Sequence, residues 1–236
     1  AEDAAALSEV GTVTAADPDA NQTLTYGISG GDPNGLFTIE SETGIIRVAE
    51  DGSLDHETGD QWNLTVNVAD SAVPALETEA VVTIEVTDVN EPPVLEATTL
   101  EIPEDAVELT LVGQVTATDP EAEQVLTYTI TDGNTHSLFL IEPETGSIRT
   151  AEGASLDHET LAQWNLTVNV ADNADPSLAT QAVVTIDVTD VNEAPVFSGP
   201  LDPIESDSGE PIRLDLPIGF INDPEGQEIA MTVLLD

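Results

Sequence analysis

Cysteine is absent from the 236 residues, which excludes a disulfide framework, a thiolate metal site and a cysteine nucleophile. Lysine is absent too. The only basic residues besides three histidines are Arg47, Arg149 and Arg213, set against 47 Asp and Glu for a formal net charge of −44. Such a surface repels phosphates and anionic headgroups, since binding either needs clustered Lys or Arg. Nucleic-acid partners and direct lipid contact are therefore excluded. Aromatic residues make up only 3% of the chain, too few to line a broad stacking groove. No apolar run approaches the roughly 20 residues that span a bilayer. The acidic start, Ala1-Glu2-Asp3, lacks the basic segment of a secretion signal, so the chain reads as an internal piece of something longer.

What is present is 40% hydrophobic residues in short alternating runs, enough apolar surface to fold despite the charge. It is also a repeat. Leu54-Asp55-His56-Glu57 returns as Leu156-Asp157-His158-Glu159, and Gln61 to Asp70 returns unchanged as Gln163 to Asp172. Asp88-Val89-Asn90-Glu91 returns as Asp190-Val191-Asn192-Glu193, and the register runs from Glu2/Glu104 without insertion. Two modules follow, residues 1–95 and 96–197, joined by proline-containing tails at Pro92-Pro93 and Pro195. Residues 198–236 do not copy them and predict the opening of a third, incomplete sandwich.

Each module predicts strands. In Trp62 to Val68, apolar residues 62, 64, 66 and 68 alternate with polar 63, 65 and 67, the period of a half-buried strand. Ala80 to Val89 gives a second long run, and shorter ones begin at Leu24, Leu36 and Ile45. Gly30-Gly31-Asp32-Pro33, Thr43-Gly44 and Asp51-Gly52 punctuate them. About seven strands per 100 residues and no helical period predict an all-β fold: tandem seven-stranded Greek-key, immunoglobulin-like sandwiches.

The acids fall into two groups per module. Glu2, Asp55, Glu57, Asp88, Asn90 and Glu91 flank strand ends where the chain leaves the module, here the trailing end. Asp17, Asp19, Asn21 and Asp70 belong at the opposite, leading end. With modules stacked end to end, the trailing group of the first is expected to meet Asp119, Glu121, Glu123 and Asp172 of the second. The second trailing group, Glu104, Asp157, Glu159, Asp190, Asn192 and Glu193, is expected to meet Asp223 and Glu225 of the tail. Two like charges at 4 Å repel by about 4 kcal/mol at an effective dielectric near 20, so such clusters must spread, protonate or bind cations. Hard oxygen donors in this number suit Ca²⁺ better than Mg²⁺, and zinc calls for His or Cys.

These motifs resemble the cadherin repeat. Leu54-Asp55-His56-Glu57 is similar to its LDRE motif with His in the Arg place, and Asp17-Pro18-Asp19 and Asp119-Pro120-Glu121 are similar to its DxD. Asp70 and Asp172 fall where its VxAxDxGxP segment places a ligand, and Asp88-Val89-Asn90-Glu91-Pro92-Pro93 resembles its DxNDNxP linker in the shorter form of bacterial cadherin-like modules. The resemblance covers residues 1 to about 197 and implies a seven-stranded Greek-key sandwich with two or three calcium ions at the junction of the repeats. The linker is a residue short, Pro92 replaces its second Asn, the Gly after Asp70 and Asp172 is missing, and Asn21 becomes Glu123. The tail from Ile204 resembles a dystroglycan-type cadherin-like domain.

Competing readings concern single residues. Repeated acids also suit a solvated, salt-tolerant surface. Trp62 and Trp164 suit sugar stacking, but each shares a strand face with Leu and Val, which predicts core packing. Asp55 and Glu57, read as two residues apart on a strand face, suit glycoside hydrolysis, yet duplication of the pair argues against an enzyme. His56 and His158 read as exposed side chains between acids, with a pH switch as the alternative. Asn21-Gln22-Thr23, Asn63-Leu64-Thr65 and Asn165-Leu166-Thr167 match a glycosylation sequon and read as ordinary outward residues. The resulting expectation is a non-enzymatic, calcium-stiffened segment of an extracellular or surface-anchored bacterial adhesion protein. Its partners would be the neighbouring repeats and a second surface protein, homophilic or heterophilic, or a glycan. The alternative is a spacer or carbohydrate-binding module in a secreted polysaccharide-active enzyme.

Overall fold

The computed structural model describes residues 1–19, 21–197, 221–224 and 226. It divides into two compact units, residues 1–91 with 120–123, and residues 92–119 with 124–236. Most of the expected third sandwich, including Glu225, lies outside the described residues.

The first unit is six strands in two sheets. One sheet orders β1 (Glu9–Thr12), β4 (Ile45–Val48) and β3 (Phe37–Ile39), and the other orders β2 (Thr25–Gly30), β5 (Gln61–Ala69) and β6 (Glu77–Glu85), all antiparallel. The expected alternation holds. Leu64 and Val66 are fully buried while Asn63 is exposed, so one face of β5 builds the core and the other meets water. The core joins Phe37, Ile46 and Val48 of one sheet to Leu64, Val66 and Ile84 of the other. Trp62 packs edge-to-face on Phe37 at 6.1 Å, as core packing requires. Gly31, at φ +83°, lets the chain turn out of β2 tight against β5: a Cβ there would stand 2.0 Å from the Asn63 carbonyl oxygen.

The second unit repeats this plan and adds to it. Here β7 (Val94–Leu95) pairs with β10 (Ala117–Thr118). A three-stranded sheet orders β12 (Phe139–Ile141), β13 (Ser147–Thr150) and β9 (Leu111–Gln114). The opposing sheet has four strands, β11 (Thr127–Asp132), β14 (Gln163–Ala171), β15 (Ala179–Thr189) and β8 (Thr98–Pro103). Strand β8 runs parallel to β15, from Thr98 opposite Val184 to Pro103 opposite Thr189. Four strands over three give the expected seven-stranded sandwich. In the first repeat the 102-residue register puts the counterpart of β8 ahead of Ala1, so that sandwich has six. A 3-10 turn at Thr135–Ser137 in the second unit was not legible in the hydrophobic period. The short pair β16 (Val196–Phe197) and β17 (Ile221–Asn222) completes the described elements.

Candidate metal centre

At the trailing end of the first unit, Glu2 organises the acidic residues. Its carboxylate is buried at 7% exposure and accepts two backbone hydrogen bonds, from His56 N at 2.7 Å and Val89 N at 2.6 Å. One side chain thus holds the turn after Leu54 and the segment after β6 together. Glu104 does the same in the second unit, accepting from His158 N at 2.7 Å and Val191 N at 2.6 Å. Those two bonds, His158 first, hold the Glu104 carboxyl below the usual range because they favour the charged form.

The LDHE segment is a turn, which corrects the expected strand placement of Asp55 and Glu57. Asp55 accepts from the backbone N–H of Thr58 at 2.8 Å and from its hydroxyl at 2.9 Å, closing an Asx-type turn. Asp157 and Thr160 repeat it at 2.8 Å each. These bonds lower the carboxyl pKa of Asp55 and Asp157. The signal was available: Thr58 and Thr160 each follow their Asp by three residues. His56 is consequently not suspended between two acids on a strand. Its Nδ1 lies 3.2 Å from Glu57 Oε1, and that contact raises the imidazole pKa.

Around this turn the carboxylates converge. Oxygens of Glu2, Glu57 and Glu91 lie within 4.8 Å of one another, and ligand atoms of His56, Glu57 and Asp88 form a second such group. Glu121, one of the residues grouped with the first unit, accepts a hydrogen bond from Glu91 N at 3.0 Å. Burial raises the Glu91 carboxyl to about 7, helped by a hydrogen bond with Glu121 and repulsion from Glu2, Glu121 and Glu57. Its Oε2 is buried and accepts no hydrogen bond. An all-oxygen donor set holding an orphaned buried carboxylate oxygen fits a hard divalent cation. Asp55 enters neither three-residue group, being engaged with Thr58, and Asn90 is half-buried beside Glu91 in sequence.

In the second unit Glu104, Asp157 and Glu159 form one group, and His158, Glu159 and Asp190 another. Glu193 lines a hollow with Asp157 and Glu159. Asn192 donates to the Glu193 carbonyl oxygen at 3.4 Å, and Asp223 is half-buried.

At the leading end of the first unit, Asp17, Asp19 and Asp70 line one hollow. Two interactions shape it: Tyr26 Oη accepts from Ala15 N at 3.1 Å, fixing the approach to Asp17, and Asp70 Oδ1 accepts from Ala72 N and Leu76 N. Asn21 is exposed at φ +70° and does not line this hollow. In the second unit Asp172 is buried and accepts from Ala174 N and Leu178 N, while Asp119 is half-buried.

Comparison with known proteins agrees with this architecture. The Cadherin domain family matches residues 1–87 and 98–189. Human Protocadherin Fat 1 is 39% identical over 188 residues, covering 77% of this chain and 4% of the relative. The Drosophila melanogaster protocadherin-like wing polarity protein stan is 38% identical over 205 residues, covering 81% and 6%. The chain therefore spans only about a twentieth of the length of these relatives. Among solved structures, mouse Cadherin-23 EC22-24 shares 30% identity at a TM-score of 0.59, over 84% of this chain and 65% of that one. Human cadherin-23 EC21-23 shares 26% at 0.59, over 86% and 76%. No helix among the described residues is long and apolar enough to cross a membrane.

Proposed function

Since this chain belongs to the cadherin family, whose members are extracellular or membrane-anchored adhesion proteins, we propose that it is a calcium-stiffened segment of a surface adhesion protein. Calcium binding at repeat junctions is a family property; its extension to these residues is the proposal. Glu2, Asp55, Glu57, Asp88, Asn90 and Glu91 would hold the ions from the first repeat, with Asp119, Glu121 and Asp172 contributing from the second. Two or three ions would convert a proline-containing joint into a stiff one. The carrying observation is Glu91, which stays protonated to about pH 7 among Glu2, Glu57 and Glu121 with one oxygen orphaned. A calcium ion supplies the positive charge that lets Glu91 ionise among these neighbours, and millimolar extracellular calcium suits such open oxygen sites. No chemistry is catalysed in this reading. Adhesion to a like or unlike surface protein is the role proposed for the whole molecule. A bacterial host is favoured by the short Asp88-Val89-Asn90-Glu91 linker, although the relatives above are animal proteins.

Melting curves in millimolar calcium and in chelator test the site, because a ligand of the native state raises Tm as RT ln(1 + [L]/Kd). We expect a calcium-dependent rise that Glu57→Ala reduces, and superimposable wild-type curves would reject the reading. Small-angle scattering of Asp119→Ala tests the bridge: an unchanged calcium-dependent extension would remove the second repeat from the site.

A further inference from the structure

Two of the four carboxylate-rich groups contain a ring nitrogen, which calcium does not need. We propose that His56, Glu57 and Asp88 form a three-ligand site for zinc or a similar nitrogen-accepting divalent ion, repeated by His158, Glu159 and Asp190. Within each trio the ligand atoms lie within 4.8 Å of one another. The imidazole nitrogen and carboxylate oxygen stand 3.2 Å apart in the first repeat and 3.3 Å in the second. Ligands about 2.0 Å from a tetrahedral zinc are separated by about 3.3 Å, so the pair is spaced to share one ion. An imidazole with two carboxylates is a borderline donor set that zinc accepts, leaving the fourth position to water, whereas calcium selects oxygen.

The local fold holds the trio in place. Glu2 fixes the His56 and Val89 amides, and the Asp55 to Thr58 turn sets the direction of the next two side chains. Glu104 and Asp157 do so for the second trio. Both histidines are about one-third exposed, leaving a path from solvent. His136, in the 3-10 turn, joins no such group among the described residues and serves as an internal control. The proposal differs from the calcium reading in the ring nitrogen, while Glu57 and Asp88 are common to both.

Cobalt(II) reports the site directly, since its d–d absorption is strong in low-coordinate nitrogen-containing sites and weak for loosely held hydrated ions. The intact 236-residue chain, stripped of metal, is titrated with cobalt and then back-titrated with zinc. We expect two strongly absorbing cobalt ions per chain, displaced by two zinc ions. His56→Arg or His158→Arg should leave one, the double variant none, and His136→Arg two. Circular dichroism confirms that each variant folds. A double variant that keeps both ions, or a wild type with no strong absorption, overturns the proposal. Calcium-dependent melting of the same double variant separates the two readings: it should persist, and its absence from wild type alongside intact cobalt binding rejects only the calcium site.

Discussion

The ten residues Gln61 to Asp70 and Gln163 to Asp172 are identical, yet the strands they pair with are not equally covered. Val82 and Ile84 on β6 correspond to Val184 and Ile186 on β15. The latter two are fully buried; Val82 is half-buried and Ile84 keeps 7% exposure. Strand β8 accounts for this. It pairs with β15, extends that strand to Thr189, and lays Leu100 so close to Gly113 that a Cβ there would meet it at 2.7 Å. In the first repeat β6 ends at Glu85, Gly11 has no neighbour for a Cβ within 4 Å, and clefts of about 300 and 200 Å³ open beside Val82 and Ile84. Since the register places the counterpart of β8 before Ala1, the comparison isolates what that strand contributes: five or six residues ahead of the alternating strands close the sheet beside β15.

The largest effect expected from breaking this asymmetry follows Ile102→Ala. Ile102 is 2% exposed, and an Ile-to-Ala truncation in a packed core costs about 2–5 kcal/mol. The second repeat should unfold at lower denaturant while the first keeps its midpoint, as followed by hydrogen exchange on β5 and β14. A simultaneous shift of both repeats would mean that they unfold as one unit. In the reverse direction, placing the sequence of Thr98–Ile102 immediately before Ala1 should fill the first repeat's cleft. Burying one Leu and one Ile contributes about 3 kcal/mol at roughly 1.5 each. Exchange at residues 81–87 should slow to match 183–189; unchanged exchange would show that the added strand does not dock.

A smaller effect concerns pH. Glu91 has a folded-state pKa raised from 4.5 to about 7, so without metal the folded state holds a proton that the unfolded state has released. That contribution is present below pH 4.5 and is lost as pH rises towards 7. Between those values the metal-free first repeat should therefore lose stability with rising pH, and Glu91→Gln should flatten the slope. Solvent screening keeps this below the core effects. In the second repeat, Glu104 has a lowered pKa and contributes in the opposite sense, with stability present above its unfolded value and lost as pH falls through its folded one. A first-repeat profile that rises between pH 4.5 and 7 would contradict the assignment.

How much of this was legible follows from which forces act locally. The period-two burial of β5 and β14, the core position of both tryptophans and the tandem organisation could be read directly, because alternation and repetition are properties of neighbouring letters. The convergence of Glu2, Glu57 and Glu91 was legible as well, through recurrence of the acids at strand ends. The turn at Asp55 showed only in the Thr three residues on, since the short acidic segment after Leu54 carries no period to distinguish turn from strand and its partners are the Thr58 amide and hydroxyl. That error hid the histidines, which a strand would have pointed away from the acids on either side. The role of β8 was equally hidden: only its parallel pairing with β15 shows that the residues after the linker close that sheet.

Glu2 ties an amide 54 positions later to another 87 positions later. Viewed as a timetable of synthesis, its carboxylate is among the first parts of its repeat to be made and finds its second partner among the last. The acidic turn around His56 can be made, and can fold locally, long before Val89 exists to anchor its other side. A repeat growing from its N-terminus therefore leaves this acidic cluster open on one side until the segment after its last long strand arrives, and Glu104 sets the same delay for the next repeat, with Val191 as its closing step. Order of manufacture thus separates the building of each sandwich from the moment its acidic end is fastened together.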